Sequence, residues 1–273
     1  MIEVAKVFIY SEPRCKALNY DELAAYVRGK LPRARVLLRG PLLESAVDGS
    51  RGSYNTEFLA AALARAKVRD LGAPARPSQP VLKGEIQYEL SRLKNLKSNV
   101  FGFLYDAGLI LDIYRQMLPA AESRLECANI IFTNQLIGSW KEADKRYHAR
   151  SVILGGPTVV SISGIVEAPA KAAGFYIARR TSQALGLPGA GNMEWARALA
   201  GDHLQLDDSR LTNVAKGLIL QALSYRMTDE PFCEDSDCRL YNAHRQSELI
   251  RSQFGEKEFC QRHDEIFARN LRE

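Results

Sequence analysis

Cys233-Glu234-Asp235-Ser236-Asp237-Cys238, followed by Cys260-Gln261-Arg262-His263, is the stretch whose reading decides the fold. It holds two close pairs, C-x4-C and C-x2-H, with twenty-one residues between them. A tetrahedral zinc takes four N or S ligands, and a pair a few residues apart on a turn spans one edge of the tetrahedron. Three of the chain's five cysteines lie between positions 233 and 263. Free buried thiols would scatter more evenly, so the spacing predicts one structural Zn2+ per chain. Its ligands are Cys233, Cys238, Cys260 and His263, with His244 as an alternative. Four protein ligands leave no open position for water.

Outward from the knot, composition is ordinary. The 273 residues are 46% hydrophobic and 25% charged, enough for a sizeable core. The ion is therefore a local brace, not the rescue of a tiny fold. Cys15 and Cys127 are isolated. An odd cysteine count with metal-like spacing fits a reducing cytoplasm better than a disulfide framework. The opening Met1 to Tyr10 carries Glu3 and Lys6 in an apolar run, which reads as a strand, not a signal peptide. The longest uncharged run, Ser151 to Val166, is short and broken by Gly155-Gly156-Pro157, so no membrane span is expected. Net charge is +5. Arg28, Lys30, Arg33, Arg35 and Arg39 crowd one stretch; a solvated helix end and strand edge accounts for them better than a nucleic-acid patch.

The first part reads β-α-β. Residues 4–10 form a strand, Asn19 caps a helix ending before Pro32, and Val36-Leu37-Leu38 begins a second strand. Helices are expected over 56–70, 81–95 and 107–117, the last with Ile110 to Tyr114 open to a strand reading, and Pro74, Pro77 and Pro80 mark a loop. Further strands are expected at 128–133, 149–154 and 158–164, the last two antiparallel. Helices follow over 168–185 and 209–227. The resulting divisions are residues 1–75 (β-α-β), 76–125 (helical connector) and 126–273 (core with the knot), or one continuous domain.

Three further runs carry polar chemistry. Lys141 to Arg150 packs acids, bases, Tyr147 and His148 into one stretch, either a general base or ligand at His148 or a polar hairpin turn. Glu167 stands at an apolar strand end with Lys171 four residues on, so it is either a buried functional carboxylate or a surface pair. Cys238 to Glu248 offers Arg239, Asn242, His244 and Glu248, facing a cleft or bracing the knot. There is no H-E-x-x-H, Gly-rich phosphate loop, Rossmann fingerprint or G-x-S-x-G elbow.

The long helix leading into Cys233-x4-Cys238, closed by Phe259-Cys260-Gln261-Arg262-His263, resembles the tail of archaemetzincins, a family of zinc peptidases. Tyr147 to Arg150, Gly164 to Lys171 and Cys238 to His244 resemble an archaeal family labelled metallopeptidase. The resemblance covers about residues 125–265. It implies an α+β, metzincin-like mixed sheet with flanking helices and a C-terminal zinc knot. Where the family has its HExxHxxGxxH residues, this chain has Ala222, Leu223, Arg226 and Phe232. The closing ligand is His263 where the family has cysteine. Three functions follow as expectations. One is a metallopeptidase-like hydrolase that uses Glu167, His148, His244 and Glu248. The second is a non-catalytic module binding a peptide or protein. The third is a nucleic-acid-binding zinc protein, disfavoured by Glu234, Asp235 and Asp237 at the knot.

Overall fold

The computed structural model describes residues 3–12, 15–47, 55–76, 78–95, 103–186, 198 and 201–272. Strand β1 (Lys6–Tyr10) buries Val7, Phe8, Ile9 and Tyr10, the pattern of a strand covered on both faces. Helix α1 (Tyr20–Lys30) returns the chain; Asn19 Oδ1 accepts from Glu22 N, and Leu23, Ala24 and Val27 face the core. Strand β2 (Arg35–Arg39) then pairs parallel with β1, and β4 (Cys127–Thr133) pairs parallel with its other side. Strand β8 (Thr158–Ser161) extends the sheet in parallel, and β7 (Val152–Ile153) closes it antiparallel, giving the order β2-β1-β4-β8-β7.

The alternation of side chains along β1 and β4 divides the core. Val7, Ile9, Ala128, Ile130 and Phe132 meet α1 and the long helix α8 (Leu211–Thr228). Phe8, Tyr10, Cys127 and Ile131 meet α2 (Leu42–Val47), α3 (Thr56–Arg65), α4 (Lys83–Lys94) and α5 (Ala107–Met117). Helices from early and late in the chain thus pack against one sheet. A second, mixed sheet holds β3 (Leu104–Asp106), β5 (Leu136–Lys141) and β6 (Arg146–Arg150). Helices α6 (Ile162–Glu167), α7 (Ala173–Ala184), α9 (Gln246–Phe254) and α10 (Gln261–Arg272) complete the described elements. The architecture is mixed α/β: two mixed sheets with flanking helices. Among the described residues no helix is long and apolar enough to cross a membrane.

Several expected elements change shape, each for a tertiary reason. The stretch 149–154 is not one strand: Arg150 ends the hairpin with β5, and Val152 begins the pairing with β8. The run after Ser161 is not a strand end but a helix, capped by Ser161 Oγ accepting from Gly164 N. The next helix starts at Ala173, not 168. Ala170 instead donates to His244 O and accepts from Gln246 N, which holds the preceding stretch extended. Helix α3 stops at Arg65, short of residue 70, because Ala66 and Val68 bond β3 and Lys67 turns in to an ion pair with buried Glu89 at 2.8 Å. Pro77, read as part of a loop, lies outside the described residues. The basic stretch is partly paired: Lys30 meets Glu258, and Arg39 meets Glu122.

Candidate metal centre and adjoining groove

Short-range turns build the knot. Cys238 N donates to Asp235 O, Asp235 N points to Cys233 Sγ, and Tyr241 N donates to Cys238 O. Cys233 N donates to Leu240 O, which folds the second half of the turn back on the first. Cys260 lies just before α10, whose first turn presents His263. Phe259 and Phe267 stack at 5.0 Å between ring centres and belong to the same core cluster as Cys238.

The four donor atoms lie within 4.8 Å of one another. Cys233 Sγ is 3.7 Å from Cys260 Sγ, and His263 Nδ1 is 3.6 Å from Cys238 Sγ and 3.1 Å from Cys260 Sγ. A tetrahedral ion with bonds of about 2.3 Å to sulfur and about 2.0 Å to nitrogen has S–S edges of about 3.8 Å and S–N edges of about 3.5 Å. Two of the three distances match these edges, and the third is tighter. The donors are also the right kind: Cys238 and His263 are buried, and the other two are half-buried. Burial pushes the Cys238 thiol up to about 12 and raises that of Cys233. Burial, with Arg262 nearby, lowers His263 and keeps its imidazole neutral. Buried thiols without a counter-charge favour the protonated form; a cation among them favours the thiolate. The residues fit a metal ion.

The knot is tied to the body by polar contacts, not by packing alone. Gln221 Nε2 donates to Leu240 O and Tyr241 O at 3.4 and 3.1 Å. Arg239 donates to Asn213 Oδ1 and Gln253 O, and Asp237 accepts two bonds from Arg251. Arg239 therefore braces the knot and does not face the cleft. Glu258, which receives Lys30 and Tyr26, is held below the usual carboxylate range by these partners against the opposing effect of burial.

Among the described residues, Cys233, Cys238, Cys260 and His263 form the one group of three or more His, Cys, Asp or Glu side chains close enough to share an ion. His148, Glu167, His244 and Glu248 are not gathered into another. His148 Nε2 lies 2.7 Å from Asp144 Oδ2 on the β5–β6 hairpin. Glu167 is exposed at the end of α6, 3.2 Å from Lys171. Glu248 Oε2 accepts from His244 N and Arg245 N, capping α9. The His244 imidazole is exposed.

Beside the knot runs a groove of about 110 Å³, lined among others by Arg150, Val152, Gln221, Phe232, Tyr241, Asn242 and His244. Sequence spacing did not isolate Arg150, Gln221 or Phe232 as a site, because the groove joins segments far apart in the chain. The nearest signal was the polar density of 141–150 and 238–248.

A family model described as "Probable metallopeptidase family (DUF6775)" matches residues 3–270, and the chain belongs to that family. No curated protein and no solved structure matches it.

Proposed function

Taking that membership as premise, we propose that this protein is a non-catalytic, zinc-braced relative of metallopeptidases that binds peptide in the groove beside its knot. The observation that carries the reading is the closed donor set. Cys233, Cys238, Cys260 and His263 supply all four ligands, so a bound ion has no position for water or substrate. Three sulfurs and one imidazole suit zinc. Bound there, zinc supplies local folding energy and no Lewis-acid chemistry toward a substrate.

The helix α8 supports the same reading. Where archaemetzincins carry metal-binding histidines and a glutamate, Ala222 is 3% exposed and Leu223 is 0% exposed, both packed as core. Arg226 donates to Leu125 O instead. Phe232 lines the groove. None of these four can ligate zinc or take a proton. The pairings of His148, Glu167 and Glu248 described above support bracing roles for them.

The test joins metal analysis to a cleavage assay on a mixed peptide library with zinc present. The expected result is zinc in the knot and no cleavage above the zinc-only blank. Cleavage that disappears in Glu167→Gln would overturn the proposal in favour of the hydrolase.

A further inference from the structure

The groove has a polarity that the reading as a peptide site leaves open. Its lining contains one guanidinium, Arg150, one imidazole, His244, and no acidic residue. Arg150 Nε donates to Ser139 Oγ at 2.8 Å, and among the described residues no carboxylate pairs with Arg150. Its terminal Nη1 and Nη2 are thus left for a ligand. A guanidinium fork with one edge already tethered is pre-oriented for a two-point contact with a carboxylate.

The backbone fixes that orientation. Arg150 is the last residue of β6 and pairs with Ile137. A Cβ on Gly164 would collide with Arg150 O, so α6 packs directly against the end of this strand. Other lining residues are held as firmly: Tyr241 O accepts from Gln221 Nε2, Tyr241 N donates to Cys238 O, and His244 O accepts from Ala170 N. A second, wider recess is lined by Asp229, Glu230, Glu234 and Asp235, with Arg262. Phe232 borders both recesses. An extended chain passing over Phe232 therefore meets an unpaired cation on one side and an excess of carboxylates on the other.

We infer that the groove receives the C-terminal carboxylate of a peptide at Arg150, with the peptide's preceding, basic residues lying across Phe232 toward the acidic recess. This deepens the peptide-binding reading and rests on it. A volume of about 110 Å³ suits a terminal carboxylate and a small side chain, not a folded partner. Asn242, which lines the same groove as Arg150, offers an amide for the terminal backbone.

Fluorescence anisotropy on zinc-loaded protein tests it with three fluorescein-labelled probes. These are Lys-Lys-Gly-Ala-Ala as the free acid, the same peptide as the C-terminal amide, and Lys-Lys-Gly-Ala-Glu as the amide. The free acid is expected to bind about tenfold or more tighter than either amide, as a charge-assisted contact predicts. Arg150→Met should abolish that difference with zinc content and melting temperature unchanged, and Arg150→Lys should keep part of it. Equal binding of the free acid and its own amide overturns the inference while the peptide-binding reading stands. Equal binding of the free acid and the glutamate amide shows that any carboxylate serves and overturns the C-terminal assignment. No binding of any probe up to millimolar concentration removes the peptide site and the inference together.

Discussion

The knot at residues 233–263 and the helix that leads into it, Leu211–Thr228, are neighbours built on opposite principles. The knot is polar and built from short-range turns: backbone turns a few residues long help bring three thiols and an imidazole within 4.8 Å of one another. The helix is buried along most of its length, with Lys216 paired to Glu22 and Arg226 bonded to Leu125 O at half-buried positions. Leu211, Val214, Leu218, Ile219, Leu220, Ala222 and Leu223 are all buried, as expected of a helix enclosed by its own fold. Ala222 and Leu223 fill the core, while Arg226 donates to Leu125 O. The contrast teaches that a cluster able to hold a metal and a closed apolar core can be built side by side, the first by short backbone turns and the second by helix packing.

The largest break in that contrast is expected at Cys238, which is fully buried and ligand-positioned. Cys238→Ser should lose the metal and with it local folding energy on the order of 10 kcal/mol. Hydrogen exchange across residues 233–263 should rise to the level of chelator-treated protein, while β1 and β4 stay protected. Uniform exchange across the chain would mean that the knot is not a local brace.

Next is the helix. Leu223→Ala should cost about 2–5 kcal/mol in denaturant melts, and Leu223→Glu should fail to fold, because an unpaired carboxylate would enter a closed core. A folded Leu223→Glu protein that binds a second metal would break the distinction between the two regions.

Gly164 tests the groove's seat. Gly164→Ala should cost about 1–3 kcal/mol, since the new Cβ meets backbone at Arg150 O, not a movable side-chain tip. It should also weaken peptide binding. A neutral melting temperature would contradict the close contact of α6 and β6.

The smallest effect is at the start of the helix. Arg210 beside it holds Asp208 below the usual carboxylate range. A folded-state value lower than the unfolded one gives stability that is present at neutral pH and lost as pH falls through the folded value. The pair is partly exposed, so the contribution is about 1 kcal/mol or less. Melts of wild type and Asp208→Asn should therefore differ near pH 6 and converge as the pH drops below 4. A gap that persists in acid would assign the effect to packing.

How legible all this was depended on range. Features set within a few residues were readable. The pairs Cys233/Cys238 and Cys260/His263 announced the cluster that could hold a metal, Asn19 announced its helix, and the helical reading of 107–117 agrees with Ala107–Met117. Features set by distant partners were not. Glu167 follows apolar residues that alternate like a strand, yet Ser161 caps them into a helix because its hydroxyl also reaches Gln135 O. Residues 168–172 lack a helix that Pro169 permits, because His244 and Gln246 claim the Ala170 backbone. The short elements Leu42–Val47 and Leu104–Asp106 carry too little periodicity to stand out. The groove needs five separate segments at once, and only the fold brings them together.

The most direct test of the central claim is metal content per chain by mass spectrometry, on untagged protein and on the Cys233→Ser, Cys260→Ser variant. The account predicts one zinc per chain, absent from the variant. Two metals, one of them surviving in the variant, would contradict it and place an ion outside the knot; no metal at all would remove the brace on which the reading stands.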